Sequence, residues 1–289
     1  MKRMAMALTL SAVLTPVAIA GDVAPSIDRF VSSERNDYNL SVSDDGRIAV
    51  FARSDAEFAN ARIMVAERGR RGRRGRSGPV PIAFSDPRYR DSDPWLTPDG
   101  RTLYFVSDRP TAARPDKRDL DIWRSSRDVD GRWSAPEHLG DEVNSKGEEL
   151  GPELHDGVLY FGSARKSGLG GLDIYRAPAK QGGFHRAQPM PTPINSTASE
   201  SDFTLSRDGR LALFWRQVGE RGLLHISRRT VDGGWTAPQP LPDSINIGAF
   251  NFTPFLDSSA TRLTFAATPR QGRLRNVADI YHVGWSSVR

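Results

Sequence analysis

The chain has 289 residues, no cysteine and a formal net charge of +5 at pH 7. The lack of cysteine excludes a disulfide framework and a lipid-anchored cysteine, so stability must come from a packed core. The modest positive charge favours acidic partners but does not require nucleic acid.

The first 20 residues have the composition of a secretory signal peptide. Lys2 and Arg3 form a basic start, residues 4–17 are mainly apolar, and Ala18-Ile19-Ala20 is a small-x-small cleavage site. This apolar run is too short to span a bilayer, and no later segment of the sequence is long and apolar enough to do so. We therefore expect residues 1–20 to be a signal peptide, residues 21–289 to form one domain, and the protein to be periplasmic or secreted.

A short pattern recurs along the rest of the chain: a turn ending in Asp-Gly, then a strand that closes on phenylalanine. The turn glycines are Gly46, Gly100, Gly157 and Gly209, with Ala260 in a degenerate fifth copy, at spacings of 54, 57, 52 and 51 residues. Asp-Gly tolerates positive φ and joins two antiparallel strands tightly. A period near 50 residues in a glycine-rich β sequence is typical of a β-propeller.

Each complete copy predicts four strands, the last of which holds an aromatic residue and a proline. Proline fits only an edge strand, so this fourth strand should be the outermost one. The fifth copy ends before a fourth strand, and residues 23–27 resemble the outer segments around Pro136 and Pro238. We therefore predict an all-β fold: a single β-propeller of five four-stranded blades closed by an N-terminal strand, with six blades as the alternative.

The repeat resembles that of the TolB-like (WD-like) β-propeller family. The best copies are residues 152–175 and 94–123, which combine the Asp-Gly turn, a Leu-Tyr-Phe strand, a Ser-x-Arg and an Asp-Ile-Tyr or Asp-Ile-Trp segment. Copies one, four and five depart from the pattern, with Arg62 and His225 replacing the aspartate of the last segment in copies one and four. The resemblance implies an exported propeller that contacts envelope proteins or peptidoglycan, but its signature residues are structural.

Three aspartates recur at the start of the predicted third strand: Asp121, Asp173 and Asp279. They could form a ring of carboxylates for a cation, or each could accept hydrogen bonds from nearby backbone donors. Recurrence at one blade position favours the structural role. The sequence has no calcium-type loop, so we expect no metal and no cofactor.

Acidic residues also cluster at the predicted innermost strands, which line the channel of a propeller. They are Asp37, Asp91, Asp93, Glu148, Glu149, Glu200 and Asp202. Five-bladed furanosidases such as arabinanases use three carboxylates in a comparable place, one protonated and one ionised. On that alternative reading the catalytic residues would be Asp93, Glu149 and Asp202, and the protein would be a glycoside hydrolase.

The sharpest local anomaly is an arginine-glycine run between the predicted third and fourth strands of copy one. Its six arginines are Arg68, Arg70, Arg71, Arg73, Arg74 and Arg76. Such a run is either a basic loop that binds phosphate, acidic glycan or anionic headgroups, or a solvated hairpin tip. No aromatic residue interleaves it to stack bases, so we do not expect a nucleic-acid partner.

The function that these features favour is a non-catalytic exported binding module. Loops gather at the rims of a propeller, and rim loops usually carry recognition. The expected partner is an envelope or periplasmic protein, or an acidic glycan such as peptidoglycan. Trp95 and Trp215 fall outside the repeat positions, so we expect them to be the more exposed tryptophans.

Overall fold

Five antiparallel sheets follow one another around a central channel, and every described strand belongs to one of them. The structure is a computed structural model, and it describes residues 25–67, 78–257, 259–268 and 277–285. Each sheet is a propeller blade whose innermost strand packs against the innermost strand of the next blade, and the fifth packs against the first. The prediction of five blades is therefore confirmed.

The strands of blades one to three run outward from the channel in chain order, after a short N-terminal strand, β1 (Ser26–Ile27). Blade one contains β2 (Asn36–Val42), β3 (Ile48–Ser54), β4 (Arg62–Glu67) and β5 (Val80–Pro81). Blade two contains β6 (Asp91–Leu96), β7 (Thr102–Ser107), β8 (Asp121–Ser126) and β9 (Glu137–His138). Blade three contains β10 (Glu149–His155), β11 (Val158–Ser163), β12 (Asp173–Lys180), an added two-residue strand β13 (Gly183–Phe184), and β14 (Gln188–Pro189).

Blade four repeats the arrangement, and blade five borrows its outermost strand from the N-terminus. Blade four contains β15 (Glu200–Leu205), β16 (Leu211–Val218), β17 (Arg221–Arg228) and β18 (Gln239–Pro240). Blade five contains β19 (Asn251–Leu256), β20 (Arg262–Ala267) and β21 (Asp279–Gly284). β1 pairs antiparallel with β21, with Ser26 opposite His282, so the predicted closure by an N-terminal strand is confirmed.

The sequence explains the blade geometry at both its edge and its core. The outermost strands carry Pro81, Pro189 and Pro240, which leave no ladder hydrogen bond unmade because no strand lies beyond them. The second strands are apolar on both faces, since each blade is covered by two neighbours. Phe51, Phe105, Phe161, Phe214 and Phe265, the residues that close the repeat, are no more than 1% exposed.

A buried ion pair recurs in four blades at the first part of the innermost strand. The pairs are Asp37 with Arg53, Asp91 with Arg109, Glu149 with Arg165, and Glu200 with Arg216. Each arginine also donates to a backbone carbonyl in the segment preceding its innermost strand, at Val31, Phe84, Val143, and both Pro193 and Ile194, respectively. Asn251 and Ala267 stand at these positions in blade five. The pairs therefore fix the connections between blades at one face of the ring.

A second repeated device uses buried asparagines 51 residues apart: Asn144, Asn195 and Asn246. Each side chain bonds both the N–H and the carbonyl of one residue in the third strand of the preceding blade: Ile122, Ile174 and Leu224. These bonds hold the inter-blade connections against the sheet. The described residues contain no helix long and apolar enough to cross a membrane.

Candidate binding site at one mouth of the channel

All five innermost strands carry a bulge at the same level of the channel. Their ladders to the second strands shift register there, and the bulged residue has positive φ in every blade. The five residues are Asn39, Asp93, Gly151, Asp202 and Thr253. Between them remains a space of only about 30 Å³. The channel is therefore narrow at its middle and divided into two separate cavities. We call the face at which the innermost strands begin the N-face and the opposite one the C-face.

The two aspartates of this bulge ring, Asp93 and Asp202, bond across blade boundaries. Asp93 accepts the Gly151 N–H at 3.0 Å, and Asp202 accepts the Thr253 N–H at 3.0 Å. Gly151 also contacts Asp202, since a Cβ built on Gly151 would overlap Oδ1 of Asp202 and stand 3.1 Å from its Cα. The two carboxylates therefore flank Gly151, one from each side.

Burial raises the pKa of both carboxyls. The pKa of Asp202 rises to about 7, mainly through burial and secondly through the negative charge of Asp93, against hydrogen bonds from Thr253 and Ser201. Burial likewise raises the pKa of Asp93, while the Gly151 N–H and Ser92 act in the opposite direction. Near neutral pH the pair therefore sits close to the point at which one carboxyl gains or loses a proton.

Above this pair, the N-face cavity has a volume of about 300 Å³ and one aromatic wall. The wall runs through blades four, five and one, and consists of Trp215, Phe250, Phe252, Tyr38 and Phe58. Its rings touch in sequence, with centroid distances of 4.8, 5.7, 5.8 and 5.4 Å. Phe58 and Phe250 are half-buried, and the other three are buried.

The opposite wall of the N-face cavity, from blades two and three, is polar at its rim. Arg90 and Glu148 lie 3.4 Å apart there, and Leu120 and Leu150 also line the cavity. Ser92 bonds both the Tyr38 hydroxyl and the Asp93 carboxylate, at 3.0 and 2.9 Å. The cavity thus has an aromatic side, a charged side and a floor of two carboxyls.

The C-face cavity differs in character and has a volume of about 360 Å³. Five aliphatic side chains surround it, one at or next to the end of each innermost strand: Val42, Leu96, Leu154, Leu205 and Leu256. Glu153 lies among them and accepts hydrogen bonds from the Thr204 hydroxyl and the Leu205 N–H at 3.0 and 3.1 Å. Burial raises the pKa of Glu153 to about 7, so this carboxyl is largely protonated below neutral pH.

The structure separates the three carboxylates of the alternative catalytic reading. Asp93 and Asp202 meet at the channel, but Glu149 lies two residues before the bulge and is fully buried. Glu149 bonds Arg165, the Ser163 hydroxyl at 2.8 Å, and both the N–H and the hydroxyl of Ser145. Blade three places Gly151 where the other two blades place their channel aspartates.

The three repeated aspartates lie buried at the first position of β8, β12 and β21. Asp173 accepts the Gly170 N–H at 3.0 Å, as a structural role requires. Asp121 instead faces side chains, with His138 at 2.8 Å, Lys117 at 3.4 Å, and Arg114. Within the described ranges no group of three or more His, Cys, Asp or Glu side chains could hold a metal ion.

Two further expectations concerned the arginine run and the exposure of two tryptophans. The arginine run, Arg68 to Arg76, lies outside the described residues, which stop at Glu67 and resume at Gly78. The expectation that Trp215 is exposed is wrong, because this side chain is only 8% exposed within the aromatic wall. Trp95 is half-buried and lines the C-face cavity.

Sequence reasoning missed the aromatic wall. Tyr38 and Phe252 do occupy equivalent positions, one residue before the bulge, which a full alignment of the five copies would have revealed. Phe58 and Phe250 lie in connections that share no pattern between blades, so only the folded ring brings them together.

The sequence matches no family model and no curated protein. Among solved structures, TolB from Acinetobacter baumannii superposes with a TM-score of 0.50 and 13% identity over 88% of this chain and 56% of its own. This chain therefore spans little more than half of that protein. A putative TolB from Agrobacterium tumefaciens gives a TM-score of 0.54 and 13% identity, covering 89% of this chain and 80% of its own.

An enzyme domain is equally similar. The catalytic domain of a Coprinopsis cinerea GH62 α-L-arabinofuranosidase gives a TM-score of 0.54 and 13% identity, covering 90% of this chain and 94% of its own. At such identity a likeness establishes the fold and does not choose between binding and catalysis. The chain therefore has the β-propeller fold that it shares with TolB proteins, as its repeat predicted.

Proposed function

We propose that this protein is an exported, non-catalytic binding module that engages a protein or cell-envelope polymer at its N-face. The observation that carries the proposal is the N-face cavity, which combines a half-open aromatic wall with a charged rim. Aromatic side chains provide large contact areas at a low entropic cost, and they dominate recognition sites. The signal-peptide pattern of residues 1–20 supports export.

Side-chain hydrogen bonds hold the connections between blades at the N-face. Arg53, Arg109, Arg165 and Arg216 each bond a carbonyl of the preceding inter-blade segment. Asn144 and Asn195 also hold the segments bonded by Arg165 and Arg216 against the sheet. A rim that is already ordered loses little entropy when a partner binds. This prearrangement supports recognition at the N-face.

The test is affinity capture from envelope extract, with crosslinking and mass spectrometry. We expect a stoichiometric partner that crosslinks to the long loops at the N-face, residues 110–119 between β7 and β8 or residues 166–171 between β11 and β12. We expect the double variant Phe58→Ala/Phe250→Ala to lose this partner. Val231→Ser is the matched control, since Val231 is fully exposed and far from the N-face cavity in the blade-four connection after β17. Equal capture by all three proteins, with thermal unfolding showing that each is folded, would contradict an N-face site.

The second candidate is a glycoside hydrolase that uses the channel carboxyls, and one observation favours it. Asp202 has a pKa of about 7 beside Asp93, so one carboxyl could act as acid while the other stays ionised. Its third proposed member, Glu149, is instead held by Arg165 and two serines. Incubation with arabinan and arabinoxylan should release no sugar; turnover that Asp202→Asn abolishes would establish the hydrolase instead.

The arginine run supplies a separate, secondary contact in this proposal. Its six arginines in nine residues would hold anionic glycan or headgroups at low ionic strength. Partner capture that weakens at high salt would agree with this contribution.

A further inference from the structure

The N-face cavity contains three carboxyl groups and one cationic side chain among its described lining residues, so its acidic groups outnumber its cations. Within the described lining, Arg90 is the sole cationic side chain, and its guanidinium lies 3.4 Å from Glu148 at the rim. Asp93 and Asp202 remain at the floor, where their hydrogen bonds come from backbone N–H groups, serine hydroxyls and, for Asp202, the Trp215 indole. A positively charged group at the floor would relieve the repulsion between them.

The floor is also rich in hydrogen-bond acceptors. The Oδ1 atom of Asn39 is buried in the bulge ring and has no hydrogen-bond partner among the described residues. The Ser92 hydroxyl is already engaged with Tyr38 and Asp93. Two carboxylates and an amide oxygen suit a ligand that only donates, and an ammonium group has three N–H donors and no acceptor.

The aromatic wall suits the same kind of ligand. Faces of Trp, Tyr and Phe attract a cation through the ring quadrupole and bury the apolar chain that carries it. Phe58 is held at the wall in a left-handed backbone conformation of φ +58°, in a turn where the Ala59 N–H bonds Asp55 at 2.8 Å. Such a conformation is uncommon outside glycine, and functional sites are where it tends to persist.

The size of the cavity limits what can enter. Its volume of about 300 Å³ lies at the lower end of small-molecule sites. The narrow space of about 30 Å³ below it closes the floor, so a polymer cannot thread through. One extended side chain or a small amine fills such a pocket.

We propose that the N-face cavity binds an alkylammonium group, with the ammonium between Asp93, Asp202 and Asn39 and its carbon chain against the aromatic wall. This inference deepens the proposed binding function and rests on it. The group could come from a free amine or from a lysine side chain of a partner protein. The chemistry of recognition is the same for both.

Proton release should accompany binding. The groups that face Asp202 across the cavity are Asp93, Arg90, Glu148 and Tyr38, and burial keeps Tyr38 protonated by raising its pKa. Because the pKa of Asp202 is about 7, raising the pH from 6 to 8 ionises it and strengthens the attraction for a cation. No histidine lies among the described residues of this lining.

Calorimetric titration with three probes tests the proposal: Nα-acetyl-lysine methylamide, its uncharged norleucine counterpart, and butylamine. We expect the lysine probe to bind at least tenfold more tightly than the norleucine probe, and several-fold more tightly at pH 8 than at pH 6. Asp202→Asn should weaken the lysine probe at least tenfold, while retaining the oxygen that accepts the Thr253 N–H. The matched control, Asp232→Asn on an exposed turn, should change nothing.

Equal affinity for the lysine and norleucine probes, or unchanged binding by Asp202→Asn, would overturn the proposal. Tighter binding of the lysine probe than of butylamine identifies a partner side chain as the source, and the reverse order identifies a free amine. Partner capture separates the two levels of inference. If a partner is captured but no amine binds, only the proposal of alkylammonium binding is refuted. If an amine binds but no partner is captured, the proposed function as a module that binds a protein or envelope polymer is refuted.

Discussion

The Asp202 carboxylate accepts the backbone N–H of Thr253 at 3.0 Å and so joins blade four to blade five at the channel. Asp93 makes the corresponding bond to Gly151 between blades two and three. These two side chains therefore have two roles. They connect neighbouring blades, and they form the floor of the N-face cavity.

Gly151 packs closely against Asp202 at the floor, so adding a methyl group there should lower the free energy of unfolding. Gly151→Ala should destabilise the protein by about 2–3 kcal/mol, because its Cβ would meet Asp202 and its φ is +54°. Gly157→Ala is the matched control: its φ is +73°, but nothing lies within 4 Å of its Cβ position, so it should cost only about 1 kcal/mol. Urea unfolding measures both, and equal losses would refute the close contact.

Removing one member of the buried ion pair of blade four should destabilise the protein strongly. Replacing both members should destabilise it much less. Arg216→Ala should cost about 3–5 kcal/mol, since Glu200 is fully buried and would lose its 2.7 Å partner. Blade five shows the alternative, with Asn251 and Ala267 at these positions. The double variant Glu200→Asn/Arg216→Ala should therefore recover at least half of the loss in a double-mutant cycle. A double variant as unstable as the single one would show that the pair is not what Arg216 contributes.

Glu153 should make the protein less stable as pH rises. Its pKa is raised from 4.5 to about 7 in the folded state, so between these values the folded protein retains a proton that the unfolded chain has released. Stability should fall through this range by at most about 1.4 kcal/mol per pH unit and level off above pH 7. Asp202 acts in the same direction.

Glu153→Gln keeps an oxygen for Thr204 and Leu205 but cannot ionise. Urea unfolding at pH 5 and pH 8 should therefore show a smaller decrease for the variant than for the wild type, by about 2–3 kcal/mol. Glu220→Gln, at an exposed turn, is the control. Parallel profiles for the wild type and Glu153→Gln would mean that Glu153 ionises normally.

The arginine run should contribute to binding and not to folding. Changing Arg70, Arg71, Arg73 and Arg74 to Ser should leave the midpoint of thermal unfolding nearly unchanged, since an arginine-glycine run supplies no apolar surface to a core. The same variant should lose salt-sensitive retention on heparin or on anionic vesicles. Retention that survives with its salt dependence intact would place anion binding elsewhere.

The fold was predictable from the sequence because the same physical requirement recurs in every blade. Gly46, Gly100, Gly157 and Gly209 all have the positive φ that the repeat predicted, and Ala260 adopts it without being glycine. The N-terminal closing strand was also predictable, because the fifth copy lacks a fourth strand. Regular repetition makes such local patterns reliable.

The site was only partly predictable, because a bulge decides which carboxyl reaches the channel. Asp91 and Asp93 are two residues apart, as are Glu200 and Asp202, and a regular strand would place both members of each pair on one face. The register shift separates them: the first member pairs with an arginine and the second lies at the channel. Glu149 corresponds to the first member, which is why grouping it with Asp93 and Asp202 joined residues of two kinds.

The pairing of β1 with β21 also has a consequence for the order in which the ring forms. Ser26 and His282, which face each other there, are 256 residues apart in sequence. Blades one to four are each built from one continuous segment, so their contacts can form locally and early. β1 is made long before β21, so it waits longest for its partner, and folding should end when β1 docks on β21 and closes the ring.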